Sequence, residues 1–309
     1  MIITESETLK QKIHQLQPFI GNTPLFPITG LHENENVKIY AKLEWNQLTN
    51  SVKARAAFNI VKSAIETGEL SQGRQLLDAS SGNTGVAYAA IAAALNIPFT
   101  LCIPENASST KVSALKAFNT QLIYTSPYEL TDGAQEKALD LKGSNPEMYY
   151  YADQYANSNN WKAHFKTTGP EIYEQTQKEI THFIAGVGTS GTFIGTSKAL
   201  KSFNEAIRVI SVHPDSALHG LEGWKDMDTA RIPEFYDSNV ADEKREVSTE
   251  KAYDYVKKAG QKLGLMLSPS SAANLYSAVE LSKELERGVV VTVFPDHGSN
   301  YPEIMKQIF

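Results

Sequence analysis

The chain has 309 residues, a formal net charge of −6, 41% hydrophobic residues and 21% charged residues. Globular domains run to ~100–200 residues, so this length suits two domains or one large α/β unit, and the composition excludes a disordered chain. No block of Lys or Arg is available to grip a nucleic-acid backbone or an anionic membrane, and neither is expected as a partner. The single cysteine, Cys102, excludes an intramolecular disulfide framework and a Cys-rich metal centre. No run approaches the ~18–20 apolar residues of a membrane span. The opening stretch, MIITESETLKQKIHQ, has neither a basic region nor an apolar one, so no signal peptide is expected and the expected location is cytoplasmic.

In chain order, the patterning predicts a strand over Val37–Leu43, a helix over Val52–Thr67, a strand over Gln75–Ala79 and a helix over Thr84–Leu95. A strand over Pro98–Ile103, a helix over Ser109–Phe118, a strand over Gln121–Tyr124 and a helix over Leu130–Lys142 follow. The second half predicts a helix over Trp161–Gln177, a strand over His182–Ala185, a helix over Gly191–Ser202 and a strand over Ile207–Val212. Helices over Thr249–Leu263 and Ser271–Arg287 and a strand over Val289–Phe294 close the series. Short β-rich runs separated by helices read as βαβ units, hence an α/β fold with mainly parallel sheets covered on both faces. The polar, Asn-rich stretch Ala156–Asn160 is a candidate domain crossing.

Ligands of open α/β sheets sit beyond the carboxyl ends of the strands, where helix N-termini offer unpaired N–H groups. One such junction is Gly186-Val187-Gly188-Thr189-Ser190-Gly191-Thr192, between the strand THFIA and the helix TFIGTSKALKSF. Glycine lets backbone amides turn inward, and the Thr and Ser hydroxyls add donors, which makes a phosphate cradle. No Gly-Lys-Ser/Thr follows, so it is not a Walker loop, and its spacing is not that of a dinucleotide fingerprint. A second junction, Ser80-Ser81-Gly82-Asn83-Thr84-Gly85, opens the Ala-rich helix VAYAAIAAAL and suits a carboxylate or a phosphate. Ordinary helix capping also accounts for either turn taken singly.

Lys53 lies in the first turn of the helix that follows Trp45–Val52. Most lysines simply extend into solvent, but the positive end of a helix disfavours a cation and would lower the pKa, which suits a Schiff-base amine. Cys102, within the strand FTLCI, reads as a core residue rather than a nucleophile. The seven histidines show no metal-ligand spacing, so no metal is expected.

These segments occur together in a recognisable order: Gly21-Asn22-Thr23-Pro24-Leu25, Asn50-Ser51-Val52-Lys53, Ser81-Gly82-Asn83-Thr84-Gly85 and Gly186 to Thr192. With Asp153-Gln154-Tyr155, His164 to Glu171 (HFKTTGPE), Ser268-Pro269-Ser270-Ser271-Ala272-Ala273 and Pro295 to Tyr301 (PDHGSNY), the chain resembles the cysteine synthase (O-acetylserine sulfhydrylase) and cystathionine β-synthase family. These are fold-type II pyridoxal-phosphate-dependent enzymes, and the likeness runs from about Gly21 to Tyr301. It implies two three-layer α/β domains with mainly parallel sheets, like the tryptophan synthase β-subunit. A smaller mobile domain over 36–155 would carry the substrate-carboxylate turn. A larger one, over 1–35 and 156–309, would carry the cofactor-phosphate turn.

The resemblance also implies roles. Pyridoxal 5'-phosphate would be the cofactor, with Lys53 forming the internal aldimine and then moving the substrate α-proton. Asn83 would meet the cofactor's 3′-oxygen, Ser270 its pyridine nitrogen, and Gly186, Gly188, Thr189, Ser190, Gly191 and Thr192 its phosphate. Ser80, Ser81, Thr84 and Gln154 would bind the α-carboxylate of the amino-acid substrate. The implied reaction is β-replacement on O-acetylserine or O-phosphoserine with sulfide, through an external aldimine and an aminoacrylate, to give L-cysteine. A homodimer is the implied assembly. Siblings within the family remain open: cysteine desulfhydrase, cystathionine or lanthionine synthase, and a diaminopropionate-type synthase. A non-catalytic binding homologue is the alternative of another class. Ala54 after the lysine, the segment Gln47-Leu48-Thr49-Asn50 before it, Ser268-Pro269-Ser270-Ser271-Ala272 and Gly133–Lys137 depart from the usual pattern and leave the second substrate open.

Overall fold

Strand and helix patterns alternate along the chain, and the strands gather into two separate sheets. A computed structural model describes residues 5–71 and 73–309; residues 1–4, in the stretch read as lacking a leader, lie outside the described residues. The elements in order are α1 (Glu5–Leu16), β1 (Leu25–Ile28), β2 (Val37–Leu43), α2 (Lys53–Thr67), β3 (Gln75–Ala79), α3 (Asn83–Leu95) and β4 (Phe99–Pro104). Then come α4 (Ser109–Ala117), β5 (Gln121–Thr125), α5 (Leu130–Ser144), β6 (Tyr149–Tyr151), α6 (Asn159–Lys166), α7 (Thr168–Gln175) and β7 (His182–Gly186). The remainder is α8 (Gly191–Phe203), β8 (Arg208–Pro214), β9 (Glu243–Val247), α9 (Thr249–Leu263), α10 (Pro269–Glu284), β10 (Gly288–Phe294) and α11 (Pro302–Ile308).

The smaller unit comprises the described part of Met1–Ile20 together with Lys53–Asn160. Its four-stranded sheet has the order β5-β4-β3-β6, and every pairing is parallel. Parallel strands are covered on both faces, and β4 accordingly is buried at each position of FTLCIP. Cys102 sits in this strand, fully buried, and burial pushes its thiol up to about 12, as befits a core residue. Helix α3 draws its stability from Ala propensity and burial, and it ends where Asn96 takes the left-handed conformation at φ 58°. Ser108 caps α4 by accepting the Lys111 N–H.

The second unit comprises Gly21–Val52 and Trp161–Phe309. Its six-stranded sheet runs β1-β2-β10-β7-β8-β9, parallel throughout except for the β1–β2 pair. The apolar run of β10, GVVVTVF, is buried from its second residue onward because strands flank it on both sides. Helices α8 and α10 pack on β7, and α10 also packs on β10 and β2. Ser268 caps α10, with Pro269 at its first position, where the missing N–H costs no hydrogen bond. Ser248 opens α9 and Gly264, at φ 67°, closes it.

Contacts divide the chain differently from the expected 36–155 and 1–35 with 156–309. Strand β2 registers residue by residue with β10, so 37–52 belongs to the second unit and the smaller one resumes only at Lys53. Helix α1 packs on α2 and α3, which puts it with the smaller unit. The later crossing falls at Asn160–Trp161, at the end of the Asn-rich stretch.

The helix expected over Trp161–Gln177 is two helices, α6 and α7, broken at Thr167 (φ −128°, ψ −68°). Pro170 explains the break: a continuous helix would drive its ring into the Lys166 carbonyl and leave that carbonyl without an N–H. Strands β1, β6 and β9 carry no sequence signal strong enough to predict. Strand β1 contains Pro27 and stands at a sheet edge, where a missing N–H is tolerated. Strand β9 is the charged EKREV at the opposite edge, with Val247 alone buried. Strand β6 is three tyrosines long.

Candidate functional site

The expected site residues fall into two groups, one in each unit. In the smaller unit, β3 ends at Ala79 and delivers the Ser80–Thr84 turn into the start of α3. The Gly82 N–H donates to Ser80 Oγ over 3.1 Å, and the Ser80 N–H donates to the Cys102 carbonyl of β4 over 3.2 Å. Gln154 holds the turn from the other side. Its Oε1 accepts the Thr84 hydroxyl at 2.7 Å, and its Nε2 donates to the Ala79 carbonyl at 3.1 Å. Its own carbonyl accepts from Asn160 Nδ2 at 2.7 Å. Ser80, Thr84 and Gln154 are buried, while Ser81 is exposed.

Hydrogen counting constrains what each group can offer. The Thr84 hydroxyl has one hydrogen, and it is engaged by Gln154; Gln154 Nε2 has a second hydrogen beyond the one on Ala79. What the turn presents is therefore the Ser80 and Ser81 hydroxyls and the first N–H groups of α3, which have no acceptor within their own helix. These donors stand at the positive end of a helix dipole, a setting for a carboxylate.

Two buried groups lie behind the turn. Asp78 is 1% exposed and Tyr88 is fully buried. Burial pushes the Asp78 carboxyl well above the usual carboxylate range; the Ala79 N–H, at 2.8 Å from Oδ1, opposes the shift and the charge of Asp153 adds to it. Burial likewise pushes the Tyr88 hydroxyl well above its usual range. Lys53 opens α2 and is half-buried. Lys111, buried in the first turn of α4, donates to Asn83 Oδ1.

In the second unit, Gly186 ends β7 and the loop through Ser190 leads into α8. The loop is held from behind. Val187 donates to the Val212 carbonyl of β8 at 3.1 Å and accepts from the Lys225 N–H at 3.0 Å. A Cβ at Gly186 would overlap the Trp224 indole, and one at Gly188 would overlap the Gly223 carbonyl oxygen. Glycine is thus required at both places, so that 223–224 can pack directly against the loop. The Gly186 N–H donates to Asn274 Oδ1 at 2.8 Å while Asn274 Nδ2 donates to the Val293 carbonyl at 2.7 Å, which fixes α10 to β7 and β10.

Ser190, the N-cap of α8, has φ 65°, and its side chain makes no capping bond. Its Oγ is buried and has no hydrogen-bond partner among the described residues. A buried hydroxyl left in this state costs about 1–3 kcal/mol unless a ligand takes it up. Placed at the positive end of α8, beside buried Thr189, it fits a bound phosphate. The Thr192 hydroxyl lies 3.3 Å from His164 Nε2, and His164 Nδ1 lies 2.8 Å from the Thr168 hydroxyl. The His164 ring thereby fixes one wall of the loop.

Ser270 is buried in the first turn of α10, 3.2 Å from the Ser268 hydroxyl. Ser268 Oγ also meets Ser271 Oγ at 2.9 Å, and the Ser271 hydroxyl donates to the Asp296 carbonyl at 2.8 Å. On the same side, Ser51 bridges Asp296, and the Val52 N–H donates to the Pro295 carbonyl at 2.8 Å. The PDHGSNY segment therefore anchors the backbone up to the residue before Lys53. Glu171 serves Gly21–Leu25 in a similar way: its Oε1 accepts the Asn22 N–H at 2.9 Å, and its Oε2 meets the buried Lys42 ammonium at 2.7 Å.

Ser80, Asn83, Thr84 and Gln154 are thus one group with Lys53 in the same unit, and Gly186 to Thr192 are joined to the helix of Ser270 through Asn274. Sequence reading assigned no role to Lys111, Asn274, Trp224 or Glu171. Their partners lie far along the chain, and a motif match on His164–Glu171 was the sole signal for any of them. Among the described residues no cluster of His, Cys, Asp and Glu could hold a metal ion, and no helix is long and apolar enough to cross a membrane.

Comparison with known proteins identifies relatives along nearly the whole chain. The sequence profile described as "Pyridoxal-phosphate dependent enzyme" matches residues 16–296. A cysteine synthase of Aquifex aeolicus is 43% identical over 289 residues, covering 91% of this chain and 88% of the relative. An O-acetylserine dependent cystathionine beta-synthase of Bacillus subtilis is 34% identical over 306 residues, covering 96% of this chain and 98% of the relative. The crystal structure of a cysteine synthase from Entamoeba histolytica superposes with a TM-score of 0.90 at 30% identity, covering 96% of this chain and 90% of that one.

Proposed function

The chain belongs to the family of pyridoxal-phosphate dependent enzymes, and we propose that it replaces the β-substituent of an O-acylated or O-phosphorylated L-serine with sulfide, giving L-cysteine. The observation that carries this reading is the pairing of two different anion turns in one chain. One is the 186–192 loop with the buried Ser190 hydroxyl, which has no partner among the described residues and suits the cofactor phosphate. The other is the Ser80–Thr84 turn braced by Gln154, which suits an amino-acid carboxylate.

When bound, the cofactor supplies an electron-accepting ring that takes up charge developing at the substrate Cα. The chain's residues do the rest. Lys53 would hold the cofactor through its amine and, with that amine free, would take the proton from the substrate Cα. Asn83 would donate to the ring's 3′-oxygen. Ser270 would meet the ring nitrogen with a hydroxyl rather than a carboxylate, which would leave that nitrogen largely unprotonated and favour loss of a β-substituent over amino-group transfer. Ser80, Ser81, the α3 amides and Gln154 hold the carboxylate. The leaving group departs from Cβ with its bonding electrons, sulfide forms the new bond to Cβ, and the proton returns to Cα.

A second reading has a specific support. The Bacillus subtilis relative is named for O-acetylserine and cystathionine, so a thiol amino acid in place of sulfide is the alternative acceptor. Assays of the purified holoenzyme with O-acetylserine, O-phosphoserine or serine, each with sulfide or a thiol amino acid, separate the two. Cysteine formation from sulfide that is abolished in Lys53→Ala supports the proposal. Thioether formation alone favours the second reading, and turnover of cysteine alone, with sulfide release, rejects both. A chain that shows no visible cofactor band at saturation would be a binding homologue. The same reading includes a homodimer, which light scattering on the purified protein checks.

A further inference from the structure

Asn83 is a primary amide, and such a group can present either its oxygen or its nitrogen to a ligand. Lys111 removes that choice. An ammonium has three donors and no acceptor, so the atom of Asn83 that it meets is the carbonyl oxygen, Oδ1. The Nδ2 hydrogens then point away from Lys111. Neither group is placed loosely. Asn83 is the first residue of α3, and Lys111 stands in the first turn of α4, its own N–H taken by the capping Ser108 hydroxyl at 3.3 Å.

The location is an unusual one for a lysine. Lys111 is 8% exposed and lies at the positive end of a helix, where a cation is disfavoured. A structural contact between α3 and α4 could be made by an apolar side chain at no such cost. A full positive charge on Oδ1 does something that an apolar side chain cannot: it polarises the amide and makes Nδ2–H a stronger donor.

We propose that Lys111 is a positioning residue for the cofactor, fixing Asn83 with its N–H groups outward and strengthening the bond that they donate to the cofactor's 3′-oxygen. The proposal rests on the reading of Asn83 as the contact to that oxygen. Its consequence is electronic: Lys111, acting through Asn83, favours the form of the bound cofactor in which the 3′-oxygen is anionic and which absorbs in the visible.

The test compares holoenzymes of the wild type, Lys111→Met, Lys111→Arg, Asn83→Ala and the double variant. Two readouts are used, neither of them turnover: the ratio of visible to near-ultraviolet cofactor absorbance across pH, and the cofactor dissociation constant. Lys111→Met is expected to lower the ratio by about half or more and to weaken cofactor binding about tenfold, while Lys111→Arg stays within about twofold of the wild type. In the Asn83→Ala background, Lys111→Met is expected to add nothing. Should Lys111→Met fail to fold, Lys111→Gln, which is uncharged and of similar length, replaces it in the same comparison. If Asn83→Ala changes the spectrum and the uncharged Lys111 variant does not, the proposal is overturned while the reading of Asn83 stands. Equal effects of the Lys111 variant with and without Asn83 overturn it as well. An unchanged spectrum in Asn83→Ala removes the reading beneath it.

Discussion

Replacing Gln154 with glutamate puts a single atom's chemistry at issue. The wild-type amide accepts from Thr84 at 2.7 Å through Oε1 and donates to the Ala79 carbonyl at 3.1 Å through Nε2, at a position 2% exposed. A carboxylate of the same shape keeps the first bond. At the second it sets an oxygen against a carbonyl oxygen, a buried acceptor without a donor, for which the penalty is about 1–3 kcal/mol. Burial of the charge adds to this, so the total at pH 7 is expected near 2–4 kcal/mol. A protonated carboxyl can donate to Ala79 and restores the pattern, so the introduced group has a folded-state pKa above its unfolded value of ~4.3. The native state then binds more protons than the unfolded one, and the stability penalty grows as pH rises through that interval. Below the unfolded pKa it vanishes. Urea unfolding at a series of pH values, read as a difference from the wild type, measures it. Gln154→Leu, which cannot donate at any pH, should show a penalty independent of pH. A Gln154→Glu protein within about 0.5 kcal/mol of the wild type at every pH would show that Gln154 does not serve the Ala79 carbonyl, and the account of the Ser80–Thr84 turn would fail with it.

Other expected outcomes follow from neighbouring parts of the structure. Glu171→Gln removes the 2.7 Å carboxylate contact of the fully buried Lys42 ammonium, which still donates to the Thr23 carbonyl, and should cost about 1–3 kcal/mol in thermal or urea unfolding. Gly188→Ala forces the Gly223 carbonyl to move and should cost about 1–3 kcal/mol and weaken cofactor binding. Gly82→Ala, where an added Cβ meets nothing within 4 Å, should leave stability within about 0.5 kcal/mol; equal losses at the two glycines would refute the packing argument. The Asp78 carboxyl, its pKa pushed up by burial, destabilises the fold increasingly as pH climbs from its unfolded pKa to its folded one. The stability of Asp78→Asn relative to the wild type should therefore rise with pH across that interval, by at most ~1.4 kcal/mol per pH unit. Urea midpoints of the two proteins that differ by the same amount at pH 5 and at pH 8 would contradict it.

The sequence by itself determined the features that depend on local pattern. The periodicity of Thr249–Leu263 and the apolar run Val289–Phe294 specify a helix and a buried strand wherever they are placed, and both stand where they were expected. The Gly, Ser and Thr content of 186–192 specifies a tight turn from strand to helix, because small residues and hydroxyls suit such a junction. Composition similarly excluded disulfides and basic surfaces. Tertiary structure decided whatever depends on a distant partner. The charged β9 is a strand because β8 offers it a ladder, and 37–52 leaves the smaller unit because β2 pairs with β10. The bracing of the Ser80–Thr84 turn joins Thr84 to Gln154 across 70 positions, and the anchoring of the 186–192 loop joins Gly186 to Asn274 across 88. A lysine at 111 is an ordinary surface residue by pattern. It gains meaning only where the fold buries it against the oxygen of Asn83, because hydrogen bonding and burial are properties of a neighbourhood in space.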